Sequence, residues 1–98
     1  MNMLEGGRKK MLTSEEIQEL YEKVTDAVYH HQTYHNWYSY GNADWKADGK
    51  YVSFEVYGWS DQGEGAEWTE YWAIDSDGNI HTGDGAYKTF EQFYSDWS

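Results

Sequence analysis

The stretch Trp45–Trp59, WKADGKYVSFEVYGW, decides the fold. Apolar and polar residues alternate on both sides of Asp48-Gly49, a pair suited to the left-handed backbone of a type I′ hairpin turn. Two antiparallel strands are expected here. Centring the hairpin on that turn sets Trp45 opposite Val52, Ala43 opposite Phe54 and Gly41 opposite Val56 on one face. The other face then carries Asp44, Asn42, Tyr40 and Tyr38 against Ser53, Glu55, Tyr57 and Trp59. The first face has core character; the second mixes rings with acids.

Downstream, the acidic glycine-rich loop SDQGEGAE (60–67) leads to a third strand over residues 68–74. A tight turn at Asp77-Gly78 then leads into Ile80-His81-Thr82, extending an antiparallel meander. Thr69, Tyr71 and Ala73 alternate with Trp68, Glu70, Trp72 and Ile74, so the buried face of the third strand is open and both faces are candidates for cover. GDGAY (83–87) reads as flexible. Thr89 with Gln92 forms a capping signature for a short aromatic helix, with Phe90, Phe93, Tyr94 and Trp97 on one stripe.

Upstream, Thr13-Ser14-Glu15-Glu16 is a capping box, with Leu12 and Ile17 as its hydrophobic staple. Ile17, Leu20, Tyr21, Val24, Val28 and His31 follow at helical spacing, predicting an amphipathic helix over about residues 14–32. The expected fold is α+β: an N-terminal helix, a three- to four-stranded antiparallel meander and a short C-terminal helix, one domain over residues 11–98. Residues 1–10 are read as a translated leader or tail. Glu5-Gly6-Gly7 can be encoded by a purine-rich ribosome-binding sequence just before Met11, and the glycines and basic residues predict disorder. The leader reading implies a bacterial or phage gene.

The chain has 98 residues, no Cys, 19% aromatic residues and a net charge of -11 with His neutral. Starting at Met11 would leave 17 acids and 4 bases, a net charge of -13. Six Trp, ten Tyr and three Phe argue for a folded core despite that charge, because rings bury large areas at little entropic cost. The field repels nucleic acid and attracts basic surfaces, so direct DNA or RNA binding is not expected. No signal peptide or membrane span is apparent, and the expected location is the cytoplasm of a bacterial host cell.

Few arrangements point to chemistry. Asp75–Asn79, DSDGN, starts like a calcium loop, but its glycine comes at the fourth rather than the sixth position; a hairpin turn is the better reading. His30, His31, His35 and His81 lack a recognised ligand spacing, and His30 and His31 suit a helix C-terminus, so no metal site is expected. Glu55, Asp61, Glu64, Glu67 and Glu70 offer carboxylate pairs, but 18 acids do so by chance and a small domain has little room for a deep cleft. No nucleophile elbow, P-loop or dinucleotide fingerprint occurs, and the expectation is no catalytic residue, no cofactor and no enzyme.

Among the rings, Tyr38, Tyr40, Trp68 and Trp72 read as core, whereas Tyr57 and Trp59 divide between core and binding surface. The acids form three groups: Asp61, Glu64, Glu67 and Glu70 around the glycine-rich loop; Asp75, Asp77 and Asp84 around the second turn; and Glu15, Glu16, Glu19, Glu22 and Asp26 on the first helix. Singly each is an ordinary solvated acid. Together they exceed what solubility requires and raise self-repulsion, which suggests use.

In element order, in WAIDSDGNIH (72–81) and in the ending FEQFYSDWS (90–98), the chain resembles the small acidic anti-CRISPR proteins of phages that infect Gram-positive bacteria. The resemblance implies a DNA-mimic inhibitor that blocks the PAM-reading site of a CRISPR-Cas nuclease. Asp61, Glu64, Glu67, Glu70, Asp75 and Asp77 are the candidates for phosphate and base-edge mimicry, with Tyr57 and Trp59 as aromatic anchors. The expected partner is a basic nucleic-acid-binding protein, a nuclease. An immunity protein against a nuclease toxin needs the same physics, and an aromatic carbohydrate-binding module is the alternative of another class. The aromatic sheet face also suits a homodimer.

Overall fold

Helix α1 (Ser14–His30) begins where its capping box places it: Glu16 N–H donates to the Thr13 hydroxyl at 3.1 Å, and Thr13 N–H donates to the Glu16 carboxylate at 2.9 Å. It ends two residues before the expected limit. His31 leaves helical geometry at ψ 83°, and the Gln32 amide donates to the Tyr29 carbonyl at 2.7 Å. The computed structural model describes residues 11–62, 66–83, 85 and 87–97. The leader reading and the candidates Glu64 and Asp84 lie outside the described residues.

Five strands follow as an antiparallel sheet in the order β1 (Asn36–Lys46), β2 (Tyr51–Ser60), β3 (Ala66–Ile74), β4 (Ile80–His81) and β5 (Tyr87–Lys88). Helix α2 (Phe90–Trp97) closes the chain, making an α+β fold. Its start repeats the reciprocal pattern, with Gln92 N–H on the Thr89 hydroxyl at 3.2 Å and Thr89 N–H on the Gln92 amide oxygen at 3.1 Å. Strand β5 corrects the flexible reading of 83–87 at its last residue, since Tyr87 pairs with His81 in register, while residues 84 and 86 lie outside the described residues. Among the described residues, no helix is long and apolar enough to cross a membrane.

The β1–β2 register corrects the expected hairpin. Trp45 pairs with Val52 and Asp44 with Ser53 as predicted, but a bulge between Gly41 and Asp44 shifts the rest by one residue. Tyr40 therefore faces Val56, Tyr38 faces Gly58 and Trp37 faces Trp59. The connection is also longer than a two-residue turn. Ala47, Asp48 and Gly49 all have positive φ, at 53°, 58° and 84°, and Lys46 pairs with Tyr51 across them.

Both helices cover one face of the sheet. Ile17, Val24 and Val28 of α1 and Phe93 of α2 join Val52, Phe54, Val56, Trp72, Ile74 and Ile80 in a single buried cluster. Trp97 packs on Trp72 at 5.3 Å and on Tyr38 at 5.1 Å between ring centroids, while Tyr21 packs on Phe54 at 5.1 Å and on Trp45 at 5.2 Å. The helix-side face of β3 is thus Trp68, Glu70, Trp72 and Ile74. Thr69, Tyr71 and Ala73 point away on the outer face, which no described helix covers.

Candidate functional site

The bulge determines what the outer face presents. Because it flips the alternation in β1, Trp37 and Ser39 point outward beside Tyr57 and Trp59, while Tyr38 and Tyr40 turn toward α1 and α2. Asn42 makes the bulge with a left-handed backbone, φ 55°. Its amide donates to Glu55 at 2.8 Å and to the Tyr57 hydroxyl at 2.9 Å, and that hydroxyl donates to the same Glu55 oxygen at 2.5 Å. The Tyr57 and Asn42 donors hold the Glu55 carboxyl below its usual range. In return the carboxylate keeps the Tyr57 hydroxyl protonated, its pKa raised.

Toward the other end of these strands lies a groove of about 560 Å³. Its floor is the row Tyr38, Gly58 and Trp68, which are register partners, and the outward side chains on either side of that row are Trp37, Ser39, Tyr57, Trp59, Glu67 and Thr69. Trp37 and Trp59 meet with ring centroids 4.9 Å apart and planes inclined by 48°, each still 41% exposed. Glu67 is exposed and directly opposite Trp59, which puts their Cβ atoms about 5 Å apart. Gly58 has no side chain for a steric reason: an added Cβ would lie 2.2 Å from the Trp68 indole on the helix side.

The sequence-derived candidates separate into groups. Tyr57, Trp59 and Glu67 line the groove together. Asp61 follows β2 and accepts from or pairs with His35 at 2.7 Å, while its N–H donates to the His35 carbonyl at 3.0 Å. Glu70 does not join them: it faces the helices and accepts the indole N–H of Trp72 at 2.9 Å and of Trp68 at 3.2 Å. Asp75 and Asp77 lie at the β3–β4 turn, eight or more residues along the chain from Glu67 and so about 25 Å away at ~3.3 Å per residue.

Asp75 is occupied as a turn former. Its carboxylate accepts the N–H of Asp77 and of Asn79, each at 3.0 Å, and its other oxygen meets His81 at 2.9 Å. Burial pushes its pKa up, but the His81 contact and the two backbone donors outweigh this and leave it lowered. Asp77 remains exposed. Elsewhere, His30 meets Asp26 and His31 packs at a tilt on Trp97 at 4.4 Å between ring centroids, so the histidines are spread over separate structural contacts.

Trp37 and Asn42 belong to the site but were not among the sequence-derived candidates, and Glu55 was weighed only as one of the chance carboxylate pairs. The signal that could have found them is Asn42 inside an otherwise alternating strand: Asn tolerates a left-handed backbone, and one such residue ends a regular ladder. A second groove, between α1 and α2, is lined by Lys23, Asp26, His30 and His31 with Phe90, Tyr94 and Trp97. Compared with models of known families, with curated proteins and with solved structures, the chain matches none of them.

Proposed function

We propose that this protein is a small acidic inhibitor that occupies the nucleic-acid-reading surface of a basic partner, and that the partner is a CRISPR-Cas nuclease blocked at its PAM-reading site. The observation that carries the reading is the uncovered outer sheet face, where exposed Trp37, Trp59 and Tyr71 lie among Glu55 and Glu67 on a chain of net charge -11. Exposed aromatic patches of this kind mark interaction surfaces. Acids steer a basic partner toward the face, and desolvated rings then slow its release.

Tyr57, Trp59 and Glu67 form the centre of the proposed contact. Asp61 suits its rim, whereas Asp77, about 25 Å from Glu67, falls outside an interface of about 800 Å² per partner, which is roughly 30 Å across. Glu70 serves the scaffold in this reading, since its carboxylate already takes two indole donors.

The test is displacement of a fluorescent PAM-containing duplex from guide-loaded nuclease, repeated at rising salt. Displacement that weakens with salt and is lost in Trp59→Ala/Glu67→Lys supports the reading; undisturbed duplex at low salt rejects it. A nuclease toxin assayed in the same way tests the immunity-protein alternative. The paired indoles beside the Ser39 and Thr69 hydroxyls favour a second reading, a carbohydrate-binding module, whose affinity would be indifferent to salt.

A further inference from the structure

We infer that the Trp37–Trp59 groove is a guanidinium site: an arginine side chain from the partner lies against the two indoles and directs its N–H donors at Glu67. The inference rests on the basic-partner reading above and names the group that the face receives. The two rings are held at 4.9 Å with their planes splayed by 48°, so they form an open wedge and each retains 41% of its surface for a visitor. Such a ring face attracts a cation through its quadrupole, and indole does so best.

Charge selects among the occupants. Every ionisable side chain that lines the groove is Glu67 or a tyrosine, and Glu55 stands next to Tyr57. A second copy would bring another acidic face, with its own Glu67 and Glu55, onto this one, on two chains of net charge -11. A neutral sugar can donate hydroxyls to Glu67 but brings no charge to offset it. A cation satisfies ring and carboxylate at once.

Arginine fits better than lysine. Its planar guanidinium is weakly hydrated, stacks on an aromatic face and still presents donors at its edge for a carboxylate, whereas an ammonium is compact and strongly hydrated. The Ser39 and Thr69 hydroxyls, on the flanks of the same groove, can accept any remaining donor.

The experiment titrates the full chain with hexa-arginine, hexa-lysine and a neutral hexasaccharide, reading tryptophan fluorescence and calorimetry. Hexa-arginine should bind at least fivefold more tightly than hexa-lysine, and Trp37→Ala/Trp59→Ala should remove that preference with about a tenfold loss for hexa-arginine. Thr69→Lys, an exposed change that installs a resident cation beside the groove, should give the same loss with an unaltered circular dichroism spectrum. Equal affinities for the two peptides, unchanged in both variants, would overturn the guanidinium site while leaving the basic-partner reading intact. Failure of both peptides to bind at low salt would overturn both, and hexasaccharide binding that is lost in the double variant would replace the site with a sugar platform.

Discussion

Gly58 and Trp68 act as one unit across the sheet. The indole occupies the space a side chain at 58 would need and donates to Glu70, which in turn accepts from Trp72, so the missing Cβ allows a small polar network on the helix side. Gly58→Ala should therefore force Trp68 out of place and cost about 1–3 kcal/mol. Urea titration should show the lower midpoint, and Trp68→Leu in the same chain should recover part of it. If Gly58→Ala unfolds like the parent chain, the indole is not held against residue 58. None of this was legible in the sequence, because Trp68, Glu70 and Trp72 alternate with Thr69, Tyr71 and Ala73 and neither set is plainly apolar. The turn at Asp75 was legible, and it predicts a pH effect. The folded pKa of Asp75 is lowered, so its contribution is present above the ordinary carboxylate value of 3.8 and is lost as pH falls through the lowered folded value. Asp75→Asn should cost about 1 kcal/mol at pH 7 and should flatten the fall in stability between pH 4 and acid; an unchanged slope would remove Asp75 as its source.

At the scale of elements, the helices were the more readable part. Their starts are set by local chemistry, Thr13 with Glu16 and Thr89 with Gln92, and their apolar stripes meet the core where the spacing placed them, except Tyr94, which is 53% exposed. Strand β1 was readable only from the hairpin to Asp44. Beyond it, a single bulge reversed the faces of Tyr38 and Tyr40 and brought Trp37 outward, because side chains alternate with period two and one extra residue exchanges the faces. Asn42 is what holds that exchange. Asn42→Ala would retain the left-handed strain and lose both donors, and should destabilise the chain by about 1–2 kcal/mol; Asn42→Gly relieves the backbone and should recover some of that loss. Tyrosine absorbance should show the phenol of Tyr57 titrating at higher pH in either variant, because the Asn42 donor that lowers its pKa is gone while Glu55 still holds the proton. No change in either stability or titration would mean the bulge stands without its side-chain network.

For the whole molecule, the acids set stability and association against each other. Eighteen Asp and Glu against seven Lys and Arg repel one another in the folded state, and the ion pairs Lys46–Asp44 and Lys88–Asp96, at 3.0 and 2.6 Å, offset little of that. Exposed Glu15, Glu16, Glu19, Glu22 and Asp26 along α1 make the repulsion extend well beyond the groove. Salt shortens the reach of such charges from about 30 Å at 0.01 M to about 8 Å at 0.15 M. Added sodium chloride should therefore raise the melting temperature, since screening repulsion outweighs screening the few surface pairs among the described residues. The same salt should weaken capture of a basic partner, chiefly by slowing association tenfold or more, while dissociation, governed by the desolvated indoles, changes less. Calorimetry and stopped-flow fluorescence over one salt series test both halves. Opposite slopes would mean that charge which destabilises the fold is used in binding; a rising melting temperature with salt-independent association would assign the acids to solubility and leave recognition to the rings alone.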